Sequence, residues 1–150
     1  MEKWKSFDIN REIKYYGPGV YRIRLFREER PVPIRRFGGI DEEGILMIGV
    51  SDNIERRRKE FVRASNRGYQ HSEGMQWFLV KHVSHLREST YSLRFEFIET
   101  DTKERAEEME GEEAWRYFEK YWETPPLNSV LPKRGERLNE LRRNAEYLQS

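Results

Sequence analysis

The chain has 150 residues, a length that suits one domain. It contains no cysteine, which excludes disulfides and thiolate metal sites. No stretch approaches the roughly 20 apolar residues of a membrane helix, and residues 1–7 lack the apolar run of a signal peptide. We therefore expect a cytoplasmic protein that does not enter a membrane.

The charge is unevenly distributed along the chain. The net charge of +1 lacks the basic surplus typical of nucleic-acid-binding proteins. A nearly neutral protein can still present one basic face to DNA, and the alternative is an Arg- and Glu-rich surface that is only solvated. Basic residues concentrate in 22–36, 56–63 and 133–143, and acidic residues concentrate in 104–113.

The first part of the chain predicts two neighbouring strands joined by a long loop. Gly17-Pro18-Gly19 indicates a turn, and β-prone residues with partial alternation follow it as far as Phe26. Residues 27–43 are rich in proline and glycine and predict a surface loop. The continuous apolar run at 45–50 predicts a strand buried on both faces, which we expect to pair with the first.

Helices dominate the rest of the predicted structure. Ser51-Asp52-Asn53 offers side-chain oxygens that cap a helix, which we expect to end near Asn66 with residues 55–59 toward solvent or a ligand. Residues 75–86 have helical spacing, and residues 91–99 alternate as a half-exposed strand does. A long helix is predicted over 102–122, stopped by Pro125-Pro126, and a last amphipathic helix over 135–148.

This order of elements implies an α+β fold. The predicted architecture is a small three-stranded sheet, mixed or antiparallel, flanked by helices. We expect residues 1–128 to form this domain. Residues 129–150 are expected to form a C-terminal amphipathic helix that packs on the domain or extends from it.

Five short motifs occur in order on these elements. They are Gly19-Val20-Tyr21 on the first strand, Met47-Ile48-Gly49 on the second, residues 52–58 at the helix start, His71-Ser72 in a loop, and Pro125-Pro126-Leu127-Asn128 after the acidic helix. The ordered set resembles the GIY-YIG nuclease family, and the resemblance runs from about residue 17 to residue 128.

The resemblance implies metal-dependent cleavage of DNA phosphodiester bonds. The family uses one divalent cation (Mg²⁺ or Mn²⁺), one glutamate, one arginine and two tyrosines. Such hydrolysis needs an activated water and neutralisation of the charge on the phosphate oxygens. Tyr21 would then lie near the attacking water as a general base or proton relay. Arg57 would bind the scissile phosphate, because a guanidinium directs two donors at phosphate oxygens.

The metal carboxylate has two candidates. Counting back along the family pattern from Pro125, without gaps, places the glutamate of the family at Glu110. Matching the aromatic pair Tyr117-Phe118 to that of phage members of the family places it at Glu113 instead. Both lie on a largely apolar face of the long helix, where an unpaired carboxylate is costly. One carboxylate is enough, since Mg²⁺ commonly keeps several water ligands.

Further residues receive supporting roles from the same resemblance. His71 would act as an acid or bind phosphate. Asn128 would hydrogen-bond locally and shape the site at the DNA interface. The basic loop and the basic helix segment, rather than the resemblance, provide the arginines that we expect to contact DNA, namely Arg35, Arg36, Arg56 and Arg63.

Two positions depart from the family pattern. The family name joins two half-motifs, GIY on the first strand and YIG on the second. Met47 stands where the second half-motif has tyrosine, and Phe61 stands where the family has a histidine one helical turn beyond the arginine. Methionine cannot shuttle a proton, and groups that do so contribute about 10²–10⁴-fold. The open alternatives are a divalent-metal-dependent DNA endonuclease, a catalytically weakened domain that binds DNA or a protein partner, and a domain with no nucleic-acid role.

Overall fold

The computed structural model describes residues 3–67 and 90–128, which form an antiparallel sheet with one helix on each face. The α+β class is therefore confirmed. The strands are β1 (Lys5–Asp8), β2 (Gly19–Arg27), β3 (Arg30–Pro31), β4 (Ile34–Arg36), β5 (Gly39–Asp41), β6 (Ile45–Ser51) and β7 (Tyr91–Glu99), and the helices are α1 (Ile54–Arg67) and α2 (Lys103–Tyr121).

The main sheet has five strands with β2 at its centre. β2 pairs with β7 along its whole length on one side, and with β6 and then β3 on the other. β1 pairs with the outer edge of β7, from Lys5 opposite Phe97 to Asp8 opposite Arg94. The sequence predicts only three of these five strands, β2, β6 and β7. It does not predict β1 and β3, because they are too short to leave a periodic pattern in the sequence.

The predicted loop over residues 27–43 is also corrected, because it contains three short strands. β3 follows a tight turn at Glu28 and Glu29, whose φ angles of 50° and 64° are unusual for residues other than glycine and asparagine. β4 and β5 form a separate hairpin. Buried Asp41 holds the loop in place, since its carboxylate accepts bonds from the backbone N–H groups of Glu43 and Ile45 and from the Tyr117 hydroxyl, at 2.9–3.0 Å.

The two faces of the sheet carry separate cores. On the α1 face, Tyr21 and Ile23 of β2 pack with Phe95 of β7. On the α2 face, Val20 packs with Tyr117, and the next residues on that side of β2 are arginines. The buried α1-face core comprises Ile9, Tyr21, Ile23, Leu25, Leu46, Met47, Ile54, Phe61, Leu93, Phe95, Phe97 and Leu127, and the α2-face core comprises Val20, Ile45, Ile48, Ile98, Met109, Tyr117 and Tyr121.

The helices begin where the sequence predicts. The Asn53 side chain accepts a bond from the Arg56 N–H at 3.0 Å, and the Thr102 hydroxyl accepts one from the Arg105 N–H at 3.1 Å. Asn53 and Thr102 are therefore N-caps, and each accepts a bond from a backbone N–H group that has no partner within its own helix. The helices predicted over 75–86 and 135–148 lie outside the described residues. Among the described residues, no helix is both long and apolar enough to span a bilayer.

Candidate functional site

Tyr21, the first candidate catalytic residue, is buried in the α1-face core. Its side chain is only 3% exposed, and its ring stacks on Phe95 with 5.3 Å between centroids. The ring also lies against Gly49, where an added Cβ would be 2.6 Å from the hydroxyl oxygen. The glycine of the second half-motif therefore makes room for the tyrosine of the first.

The two positions that depart from the family pattern lie in the same core. Met47 is opposite Ile23 across the β2–β6 pair, and both Met47 and Phe61 are buried. Tyr21, Met47 and Phe61 thus belong to one apolar cluster. A water molecule that attacked a phosphate beside Tyr21 would have to enter this packed interior, at the cost of leaving its hydrogen bonds with solvent.

Residues that precede β2 cover the α1 face, and we call residues 9–15 the cover segment. Ile9 is buried in the core, and Ile13 and Tyr15 pack against it. The carbonyls of Tyr15 and Gly17 accept bonds from the Glu55 and Ile54 N–H groups, at 3.0 and 3.1 Å. The cover segment therefore closes both the apolar face and the first turn of α1.

A buried ion pair in α1 corrects the expectation that residues 55–59 all face solvent or a ligand. Arg58 donates two bonds to the Glu55 carboxylate at 2.7 Å and a third to the Ile9 carbonyl at 2.7 Å. The Ile13 N–H adds a bond to Glu55 at 3.2 Å. Burial alone would raise the pKa of Glu55, but Arg58 and the Ile13 N–H hold this pKa below its usual value. The pair thus fastens the cover segment to α1.

The remaining cations of α1 lie on its outer side. The side chain of Arg57 is 34% exposed, and its guanidinium lies 3.7 Å from the Glu60 carboxylate. Arg56 is more exposed and forms ion pairs with Asp52 and Glu60. Lys59 and Arg63 are exposed as well. Arg57 therefore sits at the border between the covered face and solvent.

The candidate metal carboxylates lie on α2, across the sheet from Tyr21. Glu113 lines a small cavity of about 100 Å³ together with Arg22, Arg116 and Lys120. Arg22 follows Tyr21 in β2, and adjacent strand residues point to opposite faces. Glu110 is half-buried one turn earlier in the same helix. The structure therefore brings Glu113 together with Arg22 and separates it from Tyr21.

The surroundings of Glu113 do not fit a divalent cation. Its carboxylate accepts a bond from the Arg116 guanidinium at 2.6 Å. Glu43 also lines the cavity, but the three lining cations outnumber the two carboxylates and would repel a metal ion. In residues 3–67 and 90–128, no group of three or more His, Asp or Glu side chains lies close enough to hold a metal. The use of Mg²⁺ or Mn²⁺ stays a prediction, and no chemical step is derived through it.

Asn128 and Arg36 have structural partners. The Asn128 amide forms two bonds with the backbone of Ile48, each at 2.9 Å, and so completes the free edge of β6. Arg36 donates to the Thr124 carbonyl at 2.7 Å and pairs with Glu123. Arg35, in the same hairpin, is exposed to solvent. His71 lies outside the described residues.

Glu96 is a third buried carboxylate, after Asp41 and Glu55, although the alternation of β7 predicts an exposed position for it. Glu96 accepts bonds from Arg22 Nε at 2.7 Å and Arg24 Nη1 at 2.9 Å. Burial alone would raise the pKa of Glu96, but the two arginines hold it below its usual value. The sequence signal was the placement of Arg22 and Arg24 on the same face of the neighbouring strand.

The lowered pKa values of Glu55 and Glu96 predict loss of stability in acid. Because each pKa is lower in the folded state than the ordinary value of 4.5, the unfolded chain binds more protons as the pH falls. The stabilisation is present above that value and is lost as the pH drops through the folded pKa values. Urea unfolding from about pH 7 to about pH 3 should show this decline, with a shallower slope for Glu96→Gln. A stability that stays level in acid would contradict the prediction.

No protein-family model matches the chain, and no curated protein or solved structure matches it either. The GIY-YIG resemblance therefore rests on the residues quoted above. What the geometry offers is a closed, apolar α1 face and an outer surface of α1 that carries several arginines.

Proposed function

We propose that this chain is a GIY-YIG-like domain that binds DNA through the outer surface of α1 without cleaving it. The observation that carries the proposal is the contrast between the two sides of α1. On the inner side, Phe61 of α1 belongs to the same closed apolar core as Tyr21 and Met47. The outer side presents Arg56 and Arg63 to solvent, and these exposed side chains can reach a DNA backbone.

The burial of Tyr21 supports binding without cleavage. A general base must come within hydrogen-bond reach of the proton that it removes. Tyr21 is buried in a core against which the cover segment packs, its ring stacks on Phe95, and Met47 supplies no hydroxyl in place of the second tyrosine. Glu113, a candidate metal ligand, lies on the opposite face beside Arg116.

The charge of the α1 outer surface supports DNA rather than a protein as the ligand. Arg56, Arg57, Lys59 and Arg63 outnumber the nearby carboxylates of Asp52 and Glu60. The cores of protein interfaces are depleted of charge and rich in aromatic residues. Among the described residues, the exposed large hydrophobic side chains all lie outside α1. Phosphate contacts need only exposed cations at suitable spacing.

Charge reversal on α1 tests the interface. In the Arg56→Glu/Arg63→Glu variant, two phosphate contacts are replaced by repulsion, so affinity for a fluorescent duplex of about 20 base pairs should fall. The slope of log affinity against log salt should decrease by about 2. Fluorescence anisotropy at several salt concentrations measures both quantities. The matched control is Lys103→Glu/Arg105→Glu, which makes the same charge change at exposed positions of α2 and should bind DNA much more strongly than the α1 variant.

Two results would contradict the proposal. Equal affinities of the α1 and α2 variants would remove α1 from the interface. Nicking of supercoiled plasmid that requires Mg²⁺ or Mn²⁺ and disappears in Tyr21→Phe would favour the endonuclease instead. We expect the plasmid to remain intact with either cation.

A further inference from the structure

Two exposed aromatic side chains meet at the end of α2. Phe37, at the tip of the β4–β5 hairpin, is 75% exposed, and Trp122, just beyond α2, is 63% exposed. Their ring centroids lie 5.8 Å apart with an interplanar angle of 40°. We call Phe37 and Trp122 the aromatic pair. It contributes little to either core, since both rings face solvent.

Hydrogen bonds hold the hairpin against the helix end. The Gly38 N–H donates to the Tyr121 carbonyl at 2.7 Å, and the Phe37 N–H donates to the Glu123 carboxylate. Arg36 donates to the Thr124 carbonyl from the same hairpin. A Cβ at Gly38 would lie 2.9 Å from the Tyr121 carbonyl carbon and oxygen, so this contact requires glycine. The aromatic pair is therefore held on a preformed support.

The backbone of Trp122 adopts a conformation that is unusual for a tryptophan. Trp122 has φ 62° and ψ 16°, the left-handed conformation that usually ends a helix at glycine. Its N–H donates to the Phe118 carbonyl at 2.7 Å, which completes the helix cap. A residue with a Cβ is strained in this conformation, and an indole that stays exposed contributes little hydrophobic stabilisation to offset the strain. Glycine would cap the helix better, so the tryptophan side chain requires a different explanation.

We infer that the aromatic pair stacks on an unpaired base of DNA, a role that rests on the DNA-binding function proposed above. Base stacking on exposed aromatic rings is a common means of holding single strands, and it needs positive charge nearby for the backbone. The exposed cations closest in sequence are Arg35, two residues before Phe37, and Lys120, two residues before Trp122, while Glu123 is already paired with Arg36. Two rings are too small for a stable protein interface, which needs about 800 Å² from each partner.

The aromatic pair and the outer surface of α1 lie at different ends of β6. The Asp41 carboxylate binds the Ile45 N–H at the start of this strand and the Tyr117 hydroxyl near the end of α2. α1 begins just after the strand ends at Ser51. The strand spans roughly 20 Å, and because α1 and α2 lie on opposite faces of the sheet, the two surfaces are separated by more than this length, or by more than about six base steps of DNA. The preferred ligand is accordingly a duplex with a single-stranded extension.

The test compares blunt and tailed DNA with the full chain. The probes are a fluorescent duplex of about 20 base pairs and the same duplex with a tail of about 12 thymidines. The wild type should bind the tailed probe about tenfold more tightly, and Trp122→Gly and Phe37→Ser should each lose this preference. Trp122→Gly should melt at the same or a higher temperature, because glycine relieves the left-handed strain. Tyr16→Ser removes another exposed aromatic ring and should keep the preference.

The outcomes separate this inference from the proposed function. A wild type that binds both probes equally, or a tail preference that survives in both Trp122→Gly and Phe37→Ser, overturns the inference alone. A tail preference that is lost in Trp122→Gly, together with affinities for both probes that are unaffected by Arg56→Glu/Arg63→Glu, supports the aromatic pair and removes α1 from the interface. A wild type that binds neither probe overturns both.

Discussion

Glu55→Ala is expected to lower the free energy of unfolding by about 3–5 kcal/mol, because it leaves the Arg58 guanidinium buried without its carboxylate. Glu55 and Arg58 are both buried and share two hydrogen bonds of 2.7 Å. The loss should extend to the cover segment, since Glu55 also accepts the Ile13 N–H. Urea unfolding followed by circular dichroism measures the change.

Two matched variants test the cause. Glu60→Ala removes a partly exposed carboxylate of the same helix, whose arginine neighbours lie at 3.6 and 3.7 Å, and should cost less than about 1 kcal/mol. Glu55→Leu/Arg58→Met replaces both charges with apolar side chains and should be more stable than Glu55→Ala. If Glu55→Ala and Glu60→Ala cost the same, the ion pair does not hold the cover segment.

Gly49→Ala is expected to cost about 3 kcal/mol, the upper part of the usual range for overpacking a core. The new Cβ would lie 2.6 Å from Tyr21 Cζ and 2.9 Å from Cε1. The ring cannot move away freely because Phe95 stacks on it. Thermal unfolding should show a clear fall in Tm together with an unchanged helical circular dichroism signal in the cold.

A double-mutant cycle isolates this contact. Tyr21→Leu removes the ring atoms that clash, so Gly49→Ala should cost much less in a Tyr21→Leu background than in the wild type. Simple additivity of the two changes would mean that the Tyr21 ring does not lie against Gly49. The cycle thus tests directly whether the two half-motifs pack on each other.

The elements with strong local patterns could be predicted from the sequence. The caps at Asn53 and Thr102 and the apolar periodicity of α2 depend on residues close in sequence, and the structure confirms both helix starts. β1 could not be predicted in this way. Its pairing depends on β7, which lies in a distant part of the chain, and four residues carry too little pattern.

The candidate site was harder to predict because charge and burial are not linked in a fixed way. The sequence alone predicts that Glu55, Arg58 and Glu96 lie on the surface, since most charged side chains are exposed. Each is buried with a partner from another turn or strand. The closure of the α1 face over Tyr21 likewise depends on the cover segment, which the strand pattern of β2 does not reveal.

The pairing of β1 with β7 has a consequence for how the chain acquires its fold during synthesis. Lys5 meets Phe97 only after about ninety further residues have been added. At roughly 5–20 residues per second, the first strand waits roughly 5–20 s for its partner. During that interval β1 has no neighbour, and the sheet lacks one edge. β1 can therefore join the sheet only after β7 has been made, and the docking of α2 against β6 and the β4–β5 hairpin comes later still.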